Sequence, residues 1–240
     1  MGLLKLATAA LIALSTISPM AGVPEGSCEV ESAEITWGFK ESFRSYISGS
    51  LANGEWLVTG DVGYATPSFT FTGGEGHILA DRSGGEVAFV GDMRFVGHGG
   101  ILDTTVSSPR LVLDGPRQAT LFFDVAGDTM EEVAVSEGDV PFVTVEWRRS
   151  ESNVDAVSGT WKVVTARTTL SVEGSDAFGT YPAGEEMDPL TFALTVAPGC
   201  ADADIPGGVL LFGAAGVAVI GAGAALVIYR VRRSRGPGRQ

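Results

Sequence analysis

Residues 86–100 read EVAFVGDMRFVGHGG. Two short Val/Phe runs are separated and then closed by glycine, and apolar and polar residues alternate along them. That is the period of a strand rather than of a helix. The same pattern continues outward on both sides. EWLVTGDV (55–62) and SFTFTG (68–73) precede it. ILDTTVSS (101–108), PRLVLDG (109–115), QATLFFDVAG (118–127), VPFVTVEWR (140–148), GTWKVVTARTTLSVEG (159–174) and DPLTFALTVA (188–197) follow it. About ten runs of this kind, bounded by Gly, Asp-Gly or Pro, predict a mainly-β domain, an antiparallel β-sandwich or a barrel-like fold. GSDAFGTYPAGEEMDP (174–189) reads as a long loop.

One stretch departs from this pattern. In WGFKESFRSYISG (37–49), Phe39, Phe43, Tyr46 and Ile47 recur at spacings of three and four, and Gly49 is a natural stop. This predicts one short N-terminal helix. A helix of about three turns does not stand alone in water, so its Phe/Tyr/Ile face must dock on the sheet. Taken by itself, Tyr46 reads as a core or rim aromatic.

The two ends of the chain are hydrophobic. Residues 1–22 have one Lys, an apolar run and small residues, the order of a signal peptide. Residues 207–229, GGVLLFGAAGVAVIGAGAALVIY, carry no charge and meet the ~20-residue requirement of a transmembrane helix. The tail, 230–240, holds five Arg, which predicts a cytoplasmic location for it and an extracellular one for the N-terminal side. The expected layout is therefore a signal peptide, an exported domain over 28–200, a short stalk over 201–206, a single span and a basic tail at the cell membrane.

Without the tail Arg and Lys5, 10 basic residues stand against 29 acidic ones, a formal charge of −19. Such a surface excludes nucleic acid as a partner, because that needs clustered Lys/Arg. The two cysteines, Cys28 and Cys200, bracket the domain. In an oxidising compartment a disulfide between them would tie the chain ends together; two free thiols, or one lipidated Cys, is the other reading. With only His77 and His98 present, a three-His zinc site is ruled out. No G-x-S-x-G elbow, Walker loop or CxxC occurs, and no spacing singles out a nucleophile–base pair, so an enzyme is not expected. His98 alone reads as a turn residue and His77 as a loop residue.

Two motifs occur in order: ITWGFKESFRSYISG (35–49), of the form WGxKxSFxxYI, and FVGHGGILDTTVSSPRLVL (95–113), of the form FxGHxGxLDxxxxxPxL, followed by ATLFFDV (119–125). Over about residues 34–197 the chain resembles the haem transport-associated, HtaA-type family of actinobacterial cell-surface haemin-binding proteins. The resemblance implies that Tyr46 ligates haem iron, that His98 is needed beside it, and that Ser42 lies one helical turn before it. It implies haem b, as ferric haemin, for the transported ligand. The implied partners are haem-donating proteins or sister HtaA-type domains, and a haem ABC importer. The chemistry is consistent, since ferric iron is a hard ion and tyrosinate oxygen is a known axial ligand. A phenol ionises at neutral pH only with help from the iron and a hydrogen-bond partner, a role open to His98. Ser42 shares the face of Tyr46 and could reach it or a propionate. Phe39 and Phe43 are candidate walls for the porphyrin.

Met93 is a rival axial ligand, but its odd spacing from His98 puts the two on opposite strand faces. Lys40 and Arg44 are the cations near the first motif. The rival function is a non-catalytic adhesive or structural β-sandwich, with Tyr46 and His98 merely packed.

Overall fold

The computed structural model describes residues 26–128, 134–198 and 200. The expected signal peptide, the stalk, the span over 207–229 and the basic tail lie outside the described residues. Among the described residues no helix is long and apolar enough to cross a membrane.

Strand β1 (Ser27–Trp37) leads into helix α1 (Glu41–Ser48), followed by β2 (Glu55–Gly60), β3 (Val62–Ala65), β4 (Ser68–Phe71), β5 (Glu75–Leu79), β6 (Gly85–Ala88) and β7 (Gly91–Gly97). Then come β8 (Leu102–Gly115), β9 (Gln118–Asp128), β10 (Ala134–Glu146), β11 (Ser152–Asp155), β12 (Thr160–Leu170), helix α2 (Val172–Phe178) and β13 (Leu190–Val196). The mainly-β, antiparallel class is as expected. The pairings run β1–β13–β12–β10–β9–β8–β6–β5 and return to β1, so the ladder closes on itself. Strands β7 and β2 extend from the first half of β8, and β4 and β3 from the end of β1.

The long strands serve two neighbours because bulges break their phase. In β8, Leu102, Thr104 and Val106 face inward, but after the bulge at Ser108 (φ 55) the inward residues are Pro109, Leu111 and Leu113. An extra residue moves every later side chain to the other face, and here it also changes the partner, from β7 to β6. Thr165 (φ 52) does the same in β12, between Val163 and Ala166.

Two expectations are corrected. The helix covers Glu41–Ser48, about two turns, because Trp37 is the last residue of β1 and Phe39 sits in the left-handed region at φ 63. An 11-residue strand therefore precedes it, and the helix connects strands rather than opening the domain. The segment read as a loop over 174–189 overlaps α2, whose first turn is capped by the Ser171 hydroxyl accepting from the Gly174 N–H. The core these elements enclose is aromatic at its centre. Phe39 lies within 6 Å, centroid to centroid, of Trp37, Phe43, Phe95, Phe142 and Phe178. Cys28 and Cys200, 172 residues apart, form a disulfide where the described chain begins and ends.

Candidate functional site

The foot of α1 is held by a residue 147 positions away. The helix has no side-chain cap of its own; Asp188 Oδ1 accepts from the Glu41 N–H at 2.9 Å instead. Its other oxygen accepts from Arg44 Nη2 at 2.7 Å, while Arg44 Nε donates to the Gly38 carbonyl at 2.6 Å. The Asp188 main chain completes the clamp, donating to Phe39 O and accepting from Trp37 Nε1 and Thr168 Oγ1. Gly38 permits this approach, since a Cβ there would lie 2.2 Å from Asp188 Oδ2. So anchored, α1 buries Phe43, Arg44 and Ile47 and leaves Ser42 and Ser45 exposed, with Tyr46 half-buried at the margin.

The second motif arrives at the end of β7. His98 (φ 51) begins a left-handed run with Gly99 (φ 66) and Gly100 (φ 100) that turns the chain into β8. The α1–β2 connection packs directly onto this turn. The His98 N–H donates to the Ala52 carbonyl at 2.7 Å, and a Cβ on Gly54 would lie 2.0 Å from the Val96 carbonyl. The two contacts bring the end of α1 and the end of β7 together. Tyr46 OH and His98 Nε2 are 2.5 Å apart, 52 residues distant in sequence.

The other residues of interest divide between rim and core. Ser42 Oγ is hydrogen-bonded to Tyr181 OH at 2.8 Å. Phe39 (0% exposed) and Phe43 (1%) are core rings that seat the helix, and they show no face to a ligand, contrary to the wall expected of them. Met93 is likewise fully buried, in β7, away from the surface that carries His98. The two nearby cations are engaged: Lys40 Nζ with Glu185 at 2.6 Å, and Arg44 with Asp188. His77 lies in β5, opposite Glu29 of β1 and Glu86 of β6, remote in the ladder from α1. Among the described residues no group of three or more His, Cys, Asp or Glu side chains could hold a metal ion.

The family model HtaA, described as Htaa, matches residues 32–193. The chain belongs to the HtaA family. It is similar to the crystal structure of the C-terminal domain of HtaA from Corynebacterium glutamicum, at 32% identity and a TM-score of 0.64, covering 71% of this chain and 99% of that one. The N-terminal domain of the same protein matches at 28% identity and a TM-score of 0.59, over 70% and 98% of the two chains. The heme binding protein HtaB from the same organism shares the fold, at 24% identity, a TM-score of 0.55 and coverage of 71% and 97%. Among curated proteins none matches.

In this HtaA-family domain the Tyr46–His98 pair has a defined chemical capacity. A neutral imidazole with a bare Nε2 accepts the phenol proton; the other tautomer donates its N–H to the phenol oxygen. Either way the imidazole orients the phenol oxygen. Sequence reasoning missed Tyr181. Its ring stacks on Phe178 (centroids 6.4 Å apart, planes at 15°), and its hydroxyl extends the rim through Ser42. The signal was an aromatic residue inside a Gly/Pro-rich segment, but nothing in the segment tied it to the helix. The exposed apolar side chains of this region are Leu51 (80%), beside Ala52, and Ile101 (47%), just after the His98 turn.

Proposed function

We propose that this HtaA-family chain is a cell-surface haem-binding protein that captures ferric haem through the Tyr46 oxygen and passes it to an importer for iron acquisition. The observation that carries the reading is the Tyr46–His98 contact on a half-buried rim. Family membership supplies haem as the ligand. In this account Tyr46 is the axial ligand, His98 holds the phenol oxygen and takes up its proton, and Ser42 and Tyr181 offer hydroxyls to a propionate. Leu51 and Ile101 replace Phe39 and Phe43 as apolar contacts for the porphyrin. A single protein ligand at an open rim suits transfer better than storage, because haem leaves when one bond is exchanged. The role is that of a carrier rather than a catalyst. It also follows the layout read from the sequence: cleaved leader, extracellular domain, span over 207–229 and cytoplasmic basic tail.

An adhesive sandwich would leave His98 out of reach of the Tyr46 hydroxyl, which is not the arrangement observed. Titration of haemin into the full chain in detergent, followed by visible absorption, tests the proposal. A saturable shift of the Soret band at one haemin per chain is expected. A spectrum that stays that of unbound haemin at every ratio contradicts it.

A further inference from the structure

A second concave surface lies at the other end of the domain. Strand β1 runs from Ser27, paired with Leu79 and next to the disulfide, to Trp37, next to α1. Its 11 residues separate those ends by about 30 Å. At the Ser27 end the β5–β6 turn, the β8–β9 turn, the segment after β10 and the start of β12 enclose a cleft of about 460 Å³. Arg82, Arg117 and Arg149 are among the residues that line it, with Trp147 and Trp161.

Among the described residues the lining of this cleft holds more cationic than anionic side chains, opposite to the balance of the domain. Of the ten basic residues outside leader and tail, Lys40, Arg44, Arg94, Arg110 and Arg167 are spent on carboxylates. Arg117 and Arg149 form no ion pair with a described residue, and both are exposed at the cleft. Among the described residues the one carboxylate in the lining, Asp81, accepts from Ser83 N at 3.0 Å and Ser83 Oγ at 2.6 Å within its own loop. Arg82 is buried (7% exposed) in the left-handed region at φ 60, its guanidinium 5.8 Å from the Trp161 ring. Holding a non-glycine residue in that conformation costs energy, which the surrounding structure offsets.

Trp147, one of the lining residues, also carries a buried donor. Trp147 is buried (5% exposed), and its Nε1–H has no acceptor among the described residues, whereas Trp161 Nε1 donates to Ser152 Oγ at 2.9 Å. A buried N–H without a partner is costly to the fold. The guanidinium forks of Arg117 and Arg149 are donors only, and they match the planar or tetrahedral oxygens of a carboxylate or phosphate. In a domain of charge −19, general attraction does not bring anions to the surface, so binding there would rest on this local convergence.

We propose that this cleft is a second binding site, specific for a compact oxyanion group, phosphate or carboxylate, and independent of Tyr46. The group could belong to a free small anion or to a lipid headgroup, which offer the same oxyanion chemistry.

The test is isothermal titration of the full chain in dodecyl maltoside at low ionic strength, with inorganic phosphate, acetate and dihexanoyl phosphatidic acid as probes. Saturable binding of at least one is expected, and Arg117→Gln with Arg149→Gln should weaken it at least tenfold. Tyr46→Phe should leave it unchanged. Removing two charges elsewhere, with Arg148→Gln and Lys162→Gln, should change it less than twofold. Phosphatidic acid binding tenfold tighter than phosphate identifies a headgroup, and equal binding identifies a free anion. The inference is overturned if none of the probes binds saturably, if the Arg117/Arg149 variant binds as the wild type does, or if the control variant weakens binding equally. Haemin binding by the Arg117/Arg149 variant stays at the wild-type level, so failure here is separable from failure of the haem reading.

Discussion

Asp188 and Arg44 are joined at 2.7 Å between a side chain that is 9% exposed and one that is 22% exposed, across 144 residues of sequence. This pair, rather than any local capping residue, fixes the orientation of the helix that carries Tyr46. Removing one partner leaves a buried guanidinium facing an apolar core. Asp188→Ala should therefore lose at least about 3 kcal/mol of stability, the lower end of the range for an uncompensated buried charge. Guanidinium denaturation measures it. A loss under 1 kcal/mol, with haemin binding intact, would show that the clamp does not position α1.

The hairpin that carries His98 is tied by Arg94, whose Nε donates to Asp103 Oδ1 at 2.7 Å and whose Nη2 lies 2.5 Å from Asp103 Oδ2. These hydrogen bonds hold the Asp103 carboxyl below its ordinary value of 3.8, in spite of an opposing contribution from burial. A carboxyl lowered by folding stabilises the fold at pH above its unfolded value, and that contribution is lost as pH falls through the depressed folded value. Asp103→Asn should therefore lower the thermal midpoint slightly at pH 7, and the gap to wild type should close as pH falls below the ordinary carboxyl value of 3.8. Melting curves across the range decide it; a gap constant with pH would remove the ion pair as its cause.

The Cys28–Cys200 bridge closes nearly the whole domain into one loop. In the chain-entropy account its removal costs about 2–5 kcal/mol, toward the upper end for so long a loop. Cys28→Ser with Cys200→Ser should show this loss in denaturant while keeping the haemin spectrum, because the bridge is at the far end of β1 from Tyr46. Unchanged stability would mean that the unfolded chain is already held compact.

The alternating runs around residues 86–100 were enough to read an antiparallel β domain, because one buried face per strand imposes a period of two. The phase breaks at Ser108 and Thr165 were not legible. A bulge is set by which two strands compete for one edge, and neither Ser108 nor Thr165 is a glycine that would mark it. The amphipathic spacing of Phe43 and Ile47 located α1, but the pattern also drew in Trp37 and Phe39, which belong to the strand and to the left-handed turn. The same aromatic periodicity that suits a pocket wall suits a core, and burial placed Phe39 and Phe43 in the core. The nearness of Tyr46 to His98 came from two motifs in order. The Asp188 clamp and the Ser42–Tyr181 hydrogen bond join segments about 140 residues apart, where no local pattern connects them.

The central claim is that the Tyr46 oxygen binds the iron. The visible spectrum of haemin bound to Tyr46→Phe, compared with the wild-type full chain, tests it most directly. The account predicts that the phenolate-to-iron band disappears and that affinity falls at least tenfold, since phenylalanine keeps the ring and loses only the ligand atom. An unchanged spectrum and affinity in Tyr46→Phe would contradict it.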